Sequence, residues 1–556
     1  MPNPPYPSVE SGIWGRFNFH RSRLPLRIGV LSDAAGIDAW LAPALESLTA
    51  PAEIEVGDLF LLPGWNSPGQ YPPWLFRKLD NWSRSGEGSG LDASASLPAS
   101  VRRHELSGGD GPGLAARDRA VIAGQGLDVL LCATAVPQVG NCAGLARFDV
   151  WSLLLGEPEF QGFRPPYWRE VYEDRSVSRV FLLVHNECFE HGRVVESFAV
   201  PTVASLRFSL NEVVPLKAAG LALARNLLIA AERQTAPAGK EEIEPVATPP
   251  RWPSTRETAE FICRKLKRSA TLRARSRGNE IRWMVGIRRA SGAIDYRNPA
   301  RGEPFMELPN PPGQYYADPF IVESDSRHWL FVENWIERAG RARLACMEVR
   351  DDGGFGEPVV ILDKPYHLSY PQVFSHRGAF FMIPETCENG DVQLYRATRF
   401  PFEWSLEAVL IENARLVDTT AFHYDNHWYF FTSTAEPPEE ACLFTSGRID
   451  GDWQYHPANP IGTDTRRLRG AGAVFRAGNF LIRPSQDCSL RYGYAASFGE
   501  IGRLSPVEYE ERQVGSMLPD WMPGLIGTHT FNSDSGYEVV DGQRFVPASL
   551  AGRRKQ

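Results

Sequence analysis

The stretch Thr420-Ala421-Phe422-His423-Tyr424-Asp425-Asn426-His427-Trp428-Tyr429-Phe430-Phe431-Thr432 decides how the second half of this chain is read. Two short runs rich in aromatic and strand-favouring residues flank Tyr424-Asp425-Asn426, a turn former. The stretch therefore predicts a hairpin of Thr420–His423 and His427–Thr432. Three more pairs have the same form. Tyr316–Val322 and Trp329–Glu333 flank Ser324-Asp325; Gln372–Phe374 and Ala379–Ile383 flank His376-Arg377-Gly378; Gly472–Phe475 and Asn479–Ile482 flank Arg476-Ala477-Gly478. The pairs recur every ~50 residues, a period that suits a four-stranded propeller blade. Further strand candidates at Ala342–Val349 and Val392–Ala397 fill that period, and about five blades fit. Ile281–Ile287 can supply the strand that closes the ring against the last blade.

The first half has a different pattern. Arg27–Leu31, Ile54–Val56, Leu127–Cys132 and Val180–Val184 are short apolar runs of the kind found in buried parallel strands, and Ile37–Leu48 and Ala219–Glu232 read as helices. Strands alternating with helices predict a doubly wound α/β domain. Asn81–Gly113, rich in Ser, Gly and Ala, reads as a long loop. Thr235–Ser254 mixes Pro, Ala, Glu and Thr and reads as a linker. Thr255–Arg275 reads as a basic helix with Phe261, Ile262 and Leu266 on one side, a solvated helix packed by one apolar stripe. The expected organisation is a disordered segment (1–24), an α/β domain (25–233), a linker with the basic helix (234–278), an all-β five-bladed propeller (279–547) and a basic tail (548–556).

Composition narrows the function classes. A net charge of −8 over 556 residues gives no global attraction to nucleic acid or an anionic membrane. The eight cysteines include no C-x-x-C pair, so neither a disulfide framework nor a zinc site is expected. Free thiols suit a reducing compartment, and Met1–Arg16 lacks the apolar core of a signal peptide. No uninterrupted apolar run approaches the ~18 residues of a membrane helix. The expectation is a cytoplasmic protein with no integral membrane segment and no nucleic-acid partner; its oligomeric state is left open. His367 and His529 read as hydrogen-bonded structural residues, so no metal is expected.

Several ordered phrases carry a resemblance. Tyr316-Ala317-Asp318-Pro319-Phe320, His367-Leu368-Ser369-Tyr370-Pro371-Gln372-Val373-Phe374, Met382-Ile383-Pro384-Glu385-Thr386, Val417-Asp418-Thr419-Thr420 and Arg483-Pro484-Ser485-Gln486-Asp487-Cys488 resemble the N-terminal propeller domain of plant glucosamine inositolphosphorylceramide transferase and its bacterial relatives. That domain is in turn similar to five-bladed glycosidases of the arabinanase and invertase type. In the plant enzymes sugar transfer belongs to a separate glycosyltransferase domain, so the resemblance implies a fold and a glycan context. Residues 27–228 resemble the formyltransferase fold through Asp128-Val129-Leu130-Leu131, Asp149-Val150-Trp151-Ser152, Gly162 with Pro165-Pro166-Tyr167-Trp168, and His191-Gly192-Arg193-Val194. Formyltransferases use an Asn-x-His pair and a downstream Asp. Here Trp151 and Leu153 stand at the pair and Glu190 near the Asp, a degenerate site; His185 and Asn186 offer the same residue types nearby.

In a propeller, carboxylates on the inner strands of different blades can converge. Paired carboxyls ~5 Å apart suit retaining glycoside hydrolysis, and ~6.5–9.5 Å suits inversion. The candidates are Asp318, Glu385 and Asp418, one from each of three blades. The Ala317-Asp318-Pro319 phrase resembles the one that carries the base or nucleophile in the propeller glycosidases. The resemblance implies that role for Asp318, with Glu385 as the general acid and Asp418 orienting substrate or tuning the acid. Glu333, His367, Tyr370, Arg469, Arg483, Gln486 and Asp487 are candidate substrate-binding residues, and an arginine among them suits a carboxylate or phosphate on the ligand. Three readings stay open. The first is a carbohydrate-active protein of glycan or glycolipid biosynthesis whose channel binds, and cleaves or transfers, a sugar, nucleotide-sugar or glycan. The second is a sugar N-formyltransferase with the propeller as recognition module, the one reading that brings in 10-formyltetrahydrofolate; otherwise no cofactor is expected. The third is a non-catalytic glycan-binding component of a polysaccharide pathway.

Overall fold

The structure, a computed structural model, describes residues 25–33, 54–62, 72–85, 100–107, 114–133, 142–185, 192–239, 241–243, 251–290, 292, 294–350 and 353–548. The chain divides into two compact units, Met1–Ser269 and Ala270–Gln556.

The first unit is built on one mixed eight-stranded sheet: β1 (Leu26–Asp33), β2 (Ile54–Leu62), β3 (Arg102–Glu105), β4 (Val129–Cys132), β5 (Val150–Leu155), β6 (Val177–His185), β7 (Gly192–Pro201) and β8 (Glu241–Ile243), in the order β3-β2-β1-β4-β5-β6-β7-β8. The pairings among β1–β5 are parallel, and β6, β7 and β8 add antiparallel. The apolar runs at β1 and β4 follow from burial on both faces. Ile28, Val30 and Leu131 face one cluster, Leu31, Phe60 and Leu130 the other. Among the described residues four α-helices accompany the sheet, α1 (Trp74–Arg84), α2 (Ala116–Ala123), α3 (Trp168–Tyr172) and α4 (Leu210–Arg233), and a fifth, α5 (Thr255–Ser276), runs on into the second unit.

Several expectations change here. Asn81–Gly113 is not one loop: α1 extends to Arg84, and Arg102–Glu105 forms β3. Local composition is overridden by pairing with β2 and by the buried Asp58 carboxylate, which accepts from Arg102 and His104 at 2.8 Å each. The linker contributes β8 to the sheet edge and Trp252 to a small aromatic cluster. α4 is long and apolar enough to cross a membrane by length and composition, which the search for uninterrupted runs missed. It packs on the sheet, with Ala218, Ala219, Ala222, Leu223, Leu227 and Ala230 buried. Its polar Arg225 and Asn226 are satisfied by Glu196 of β7. The helix expected at 37–48 lies outside the described residues.

The second unit is a five-bladed propeller. Blade 1 comprises Gln314–Ser324, Arg327–Ile336, Arg341–Val349 and Val359–Leu362; blade 2, Ser369–His376, Ala379–Glu385, Asp391–Arg399 and Glu403–Glu412; blade 3, Leu416–Tyr424, His427–Thr434, Ala441–Ser446 and Gln454–Tyr455; blade 4, Phe475–Ala477, Phe480–Asp487, Ala495–Leu504 and Tyr509–Met517. Blade 5 mixes both ends of the unit: Asn279–Arg289 pairs antiparallel with Tyr537–Pro547 in unbroken register, from Tyr537 opposite Arg289 to Pro547 opposite Asn279. The expected closing strand is thus present and longer than read.

The hairpins follow one rule. Asp325-Ser326, Arg377-Gly378, Asp425-Asn426 and Ser535-Gly536 all sit at positive φ, the two-residue turn whose twist matches the flanking strands. The first strand of blade 4 starts three residues later than read, at Phe475, because Gly472 lies at φ +134 and its backbone abuts the Phe531 carbonyl. The seam between blades 5 and 1 is apolar, with Val285, Ile287 and Val539 packed on Tyr316, Leu330 and Val332. Val285→Asp would bury a second carboxylate opposite Asp541. We expect a loss of at least ~3 kcal/mol in urea denaturation, with a loss below 1 kcal/mol meaning that the seam does not hold the ring.

Candidate functional site

A repeated irregularity builds the site. In the first strand of blades 1, 2 and 3 the register slips by one residue, between Ala317 and Phe320, Ser369 and Gln372, and Val417 and Thr420. The residue at each bulge is left-handed: Asp318 (φ 48), Tyr370 (φ 46) and Asp418 (φ 50). Asp tolerates that conformation better than most residues; for Tyr it is strained. A bulge re-aims the side chain it carries. The residue just before each bulge pairs with Glu333, Glu385 and Ser433 of the neighbouring strand. Six side chains at equivalent places in three blades thus include four carboxylates.

They converge. The Asp418 N–H donates to Glu385 Oε2 at 3.2 Å, and the Tyr370 N–H to Asp318 Oδ2 at 3.2 Å. Asp318 also accepts from the Thr530 hydroxyl at 2.8 Å. Arg469 Nε lies 3.3 Å from Asp418 Oδ2, and Gln486 donates to the same oxygen at 3.1 Å. His367 Nε2 lies 3.8 Å from Glu333, its Nδ1 accepting from the Ala342 N–H at 3.2 Å.

Crowded carboxylates in a place that water barely reaches cannot all ionise. Burial first, then the charges of Asp541 and Asp418, hold Asp318 up at about 6 against the opposing pull of His529. Burial first, then Asp318 and Glu385, push Glu333 well above the carboxylate range. Burial and the neighbouring Asp418 do the same to Glu385, with Arg469 opposing. Asp318, at about 6, thus faces two glutamates that burial pushes well above the carboxylate range.

Sequence reasoning placed Asp318, Glu333, Glu385, Asp418, Arg469, Gln486 and His367 here. Tyr370 joins only through its backbone: its ring is buried, and its hydroxyl bonds Thr420 Oγ1 at 2.8 Å and the Gly472 N–H at 2.7 Å. Arg483 does not join. Its guanidinium is committed to Glu511 of the same blade at 2.9 and 3.1 Å and lies over Phe431 of blade 3. Asp487 turns to the Ser489 N–H at 2.9 Å. In the first unit Trp151 is buried with its indole N–H on the Phe148 carbonyl, and Leu153 packs on the core. Glu190 and Asn186 lie outside the described residues. His185 accepts or donates at 2.7 Å to Ser152, and burial lowers its pKa to about 4.

The residues missed lie in blade 5 and the loops. Asp541, fully buried, accepts from the N–H groups of His529 (2.8 Å), Thr530 (3.0 Å) and Asp318 (3.2 Å), and its carboxylate meets His529 Nδ1 at 2.6 Å. Burial alone would lower the pKa of His529; Asp541 and Asp318 outweigh it and raise it to about 9. Trp283 stacks on the imidazole at 3.8 Å, and Tyr492, half exposed, lies edge-on to it and under Arg469. Glu439 adds a further carboxylate close enough to feel Asp418 and Arg469. No local motif marks these residues, since Asp541 sits within an ordinary apolar strand. Asp318, His529 and Asp541 bring ligand atoms within 4.8 Å of one another. A cation there would have to displace the proton that His529 shares with Asp541.

The propeller matches the family described as glucosamine inositolphosphorylceramide transferase 1, N-terminal, over residues 285–525. Glucosamine inositolphosphorylceramide transferase 1 of Oryza sativa subsp. japonica is 31% identical over 305 residues, covering 52% of this chain and 39% of that protein. The Arabidopsis thaliana protein of that name is 32% identical over 284 residues, 48% of this chain and 37% of its own length. This chain thus spans well under half the length of the curated relatives it matches. Among solved structures, an exo-β-1,3-galactanase from Clostridium thermocellum overlaps 36% of this chain and 49% of its own at 16% identity and a TM-score of 0.31. A family 117 glycoside hydrolase from Zobellia galactanivorans overlaps 48% and 90% at 10% identity and a TM-score of 0.30.

His529 offers a direct check on the site's electrostatics. Its pKa is raised from 6.5 to about 9, so the stability its charge contributes is fully present below about pH 6.5 and lost as pH rises through about 9. Urea denaturation between pH 6 and 10 should lose ~3 kcal/mol over that window in the wild type. His529→Gln should flatten the slope; an unchanged slope would assign it to other groups.

Proposed function

We propose that the propeller channel binds a sugar and cleaves or transfers it by acid–base chemistry in glycan or glycolipid metabolism. The observation that carries this reading is the convergence of Asp318, Glu333, Glu385 and Asp418 from three blades, with their protonation pushed apart by burial. Asp318, held anionic by Thr530, the Tyr370 N–H and the His529 cation, is the base or nucleophile. Glu385, held protonated, is the general acid. Asp418 orients it through the hydrogen bond to Glu385, and Arg469 anchors Asp418. Tyr492 at the mouth supplies a ring on which a sugar can stack. The named activity of the relatives supports an amino sugar and a lipid-linked glycan as the substrate class.

The first unit is proposed as a formyltransferase-type fold without formyl-transfer chemistry. Trp151 has its one polar atom committed to Phe148, and Leu153 has none, so neither can stabilise an oxyanion. Among the described residues every cysteine is a free thiol, which supports a reducing compartment.

Turnover of nitrophenyl glycosides and nucleotide-linked forms of glucosamine, N-acetylglucosamine and galactose tests the reading, alongside calorimetry with the free sugars. Asp318→Ala and Glu385→Gln, folded by circular dichroism, should lose ~100-fold or more in kcat, while Glu385→Gln retains sugar binding. The rate should fall as pH drops below about 6, where Asp318 protonates. Binding without turnover in the wild type would make this a recognition module, and variants equal to the wild type in both would end the proposal.

A further inference from the structure

Outside the blades, water alone does not explain two features, one on α1 and one on α5. α1 and α5 pack on a shared aromatic core, Phe76 and Leu79 from α1 and Phe261 from α5 meeting Trp168 and Phe208. The opposite side of α1 turns Trp74 and Trp82 outward, 59% and 46% exposed. Eight residues apart, they lie a little over two turns from each other on one side of the helix. Each carries a cation: Lys78 Nζ is 5.6 Å from the Trp74 ring, and the Arg207 guanidinium 5.3 Å from that of Trp82.

α5 differs from the helix that its sequence predicts. Only Thr258, Phe261 and Lys265 are buried. From Leu266 to Gly278 every residue is exposed. Between Arg264 and Arg277 there are seven Lys and Arg residues and no acid, in a chain whose net charge is −8. Arg264, Lys265 and Arg268 share the single carboxylate of Asp174, at 2.7, 2.5 and 3.2 Å. Arg273, Arg275 and Arg277 lie beyond it. Leu266 and Leu272, each about half exposed, stand among these charges.

A basic helix carrying outward leucines matches the interface of an anionic bilayer, and exposed indoles paired with cations suit the same environment. Tryptophan favours the headgroup level, and clustered Lys and Arg favour an anionic leaflet. A nucleic acid would satisfy the charges but offers nothing to the leucines. We propose that the exposed half of α5 docks this protein peripherally on an anionic lipid surface. The inference is independent of the chemistry assigned to the propeller.

Co-sedimentation of the full chain with vesicles tests it. Vesicles of phosphatidylcholine with about one-third phosphatidylserine should bind, pure phosphatidylcholine should not, and added salt should release the protein. The triple variant Arg273→Glu, Arg275→Glu, Arg277→Glu should weaken binding at least ~10-fold, and Leu266→Ser with Leu272→Ser should weaken it without removing its salt dependence. Asp318→Ala should leave vesicle binding unchanged. Equal binding to both vesicle types, insensitivity to the triple variant, or tighter binding to a single-stranded RNA oligonucleotide than to the anionic vesicles would each overturn the proposal.

Discussion

At the seam where the propeller closes, the carboxylate of Asp541 meets three backbone N–H groups and one imidazole. It sits on the last strand of the ring, hydrogen-bonded along its length to the first. One of its partners, the Asp318 N–H, belongs to the bulge of blade 1, so the same carboxylate joins ring closure to the placement of the candidate base. A buried charge is tolerated only when fully satisfied, and Asp541 has both donors and a counter-charge.

The other seams are stitched in the same way. Gln372 exchanges hydrogen bonds with the Ala421 backbone at 2.6 and 2.9 Å, blade 2 to blade 3. Asn532 reaches the Pro319 carbonyl and the Ala473 N–H, blade 5 to blades 1 and 4. The Tyr370 hydroxyl ties blade 2 to Thr420 and Gly472. Close approach leaves no room there: a Cβ on Gly470 would lie 2.5 Å from the Asp418 carbonyl oxygen and 2.8 Å from the Tyr370 hydroxyl. These polar links fix the register of the blades, and the left-handed bulges then aim the carboxylates. Strain at Tyr370 persists because its hydroxyl and amide are both held.

The two charged centres in the site work in opposite senses. His529 stays protonated because carboxylates surround it, and in turn helps Asp318 stay ionised. At Glu333 and Glu385 burial and neighbouring carboxylates push the pKa up, and at Glu385 the opposing charge of Arg469 does not reverse it. One channel can therefore present an anionic and an acidic carboxyl together, the condition that acid–base chemistry on a sugar requires.

The hairpins were legible in the sequence because their signals are local. Asp425-Asn426 or Arg377-Gly378 dictates a turn whatever surrounds it, and strand alternation around it sets the faces. The blade period and the closing strand could be read from spacing, while Asp318, Glu385 and Asp418 are marked by family-like phrases on expected inner strands and Glu333 by its place at a strand end. Arg483 and Gln486 could not be told apart in this way: three residues apart on one strand of blade 4, one pairs with Glu511 inside that blade and the other crosses to Asp418 of blade 3. Asp541 and His529 carried no signal because their partners are over 200 residues away at Asp318. Local sequence determined the strands and turns, since backbone preference and side-chain alternation act over a few residues. Only the closed ring decided which charges meet, because their pKa values depend on burial and on neighbours that different blades bring together.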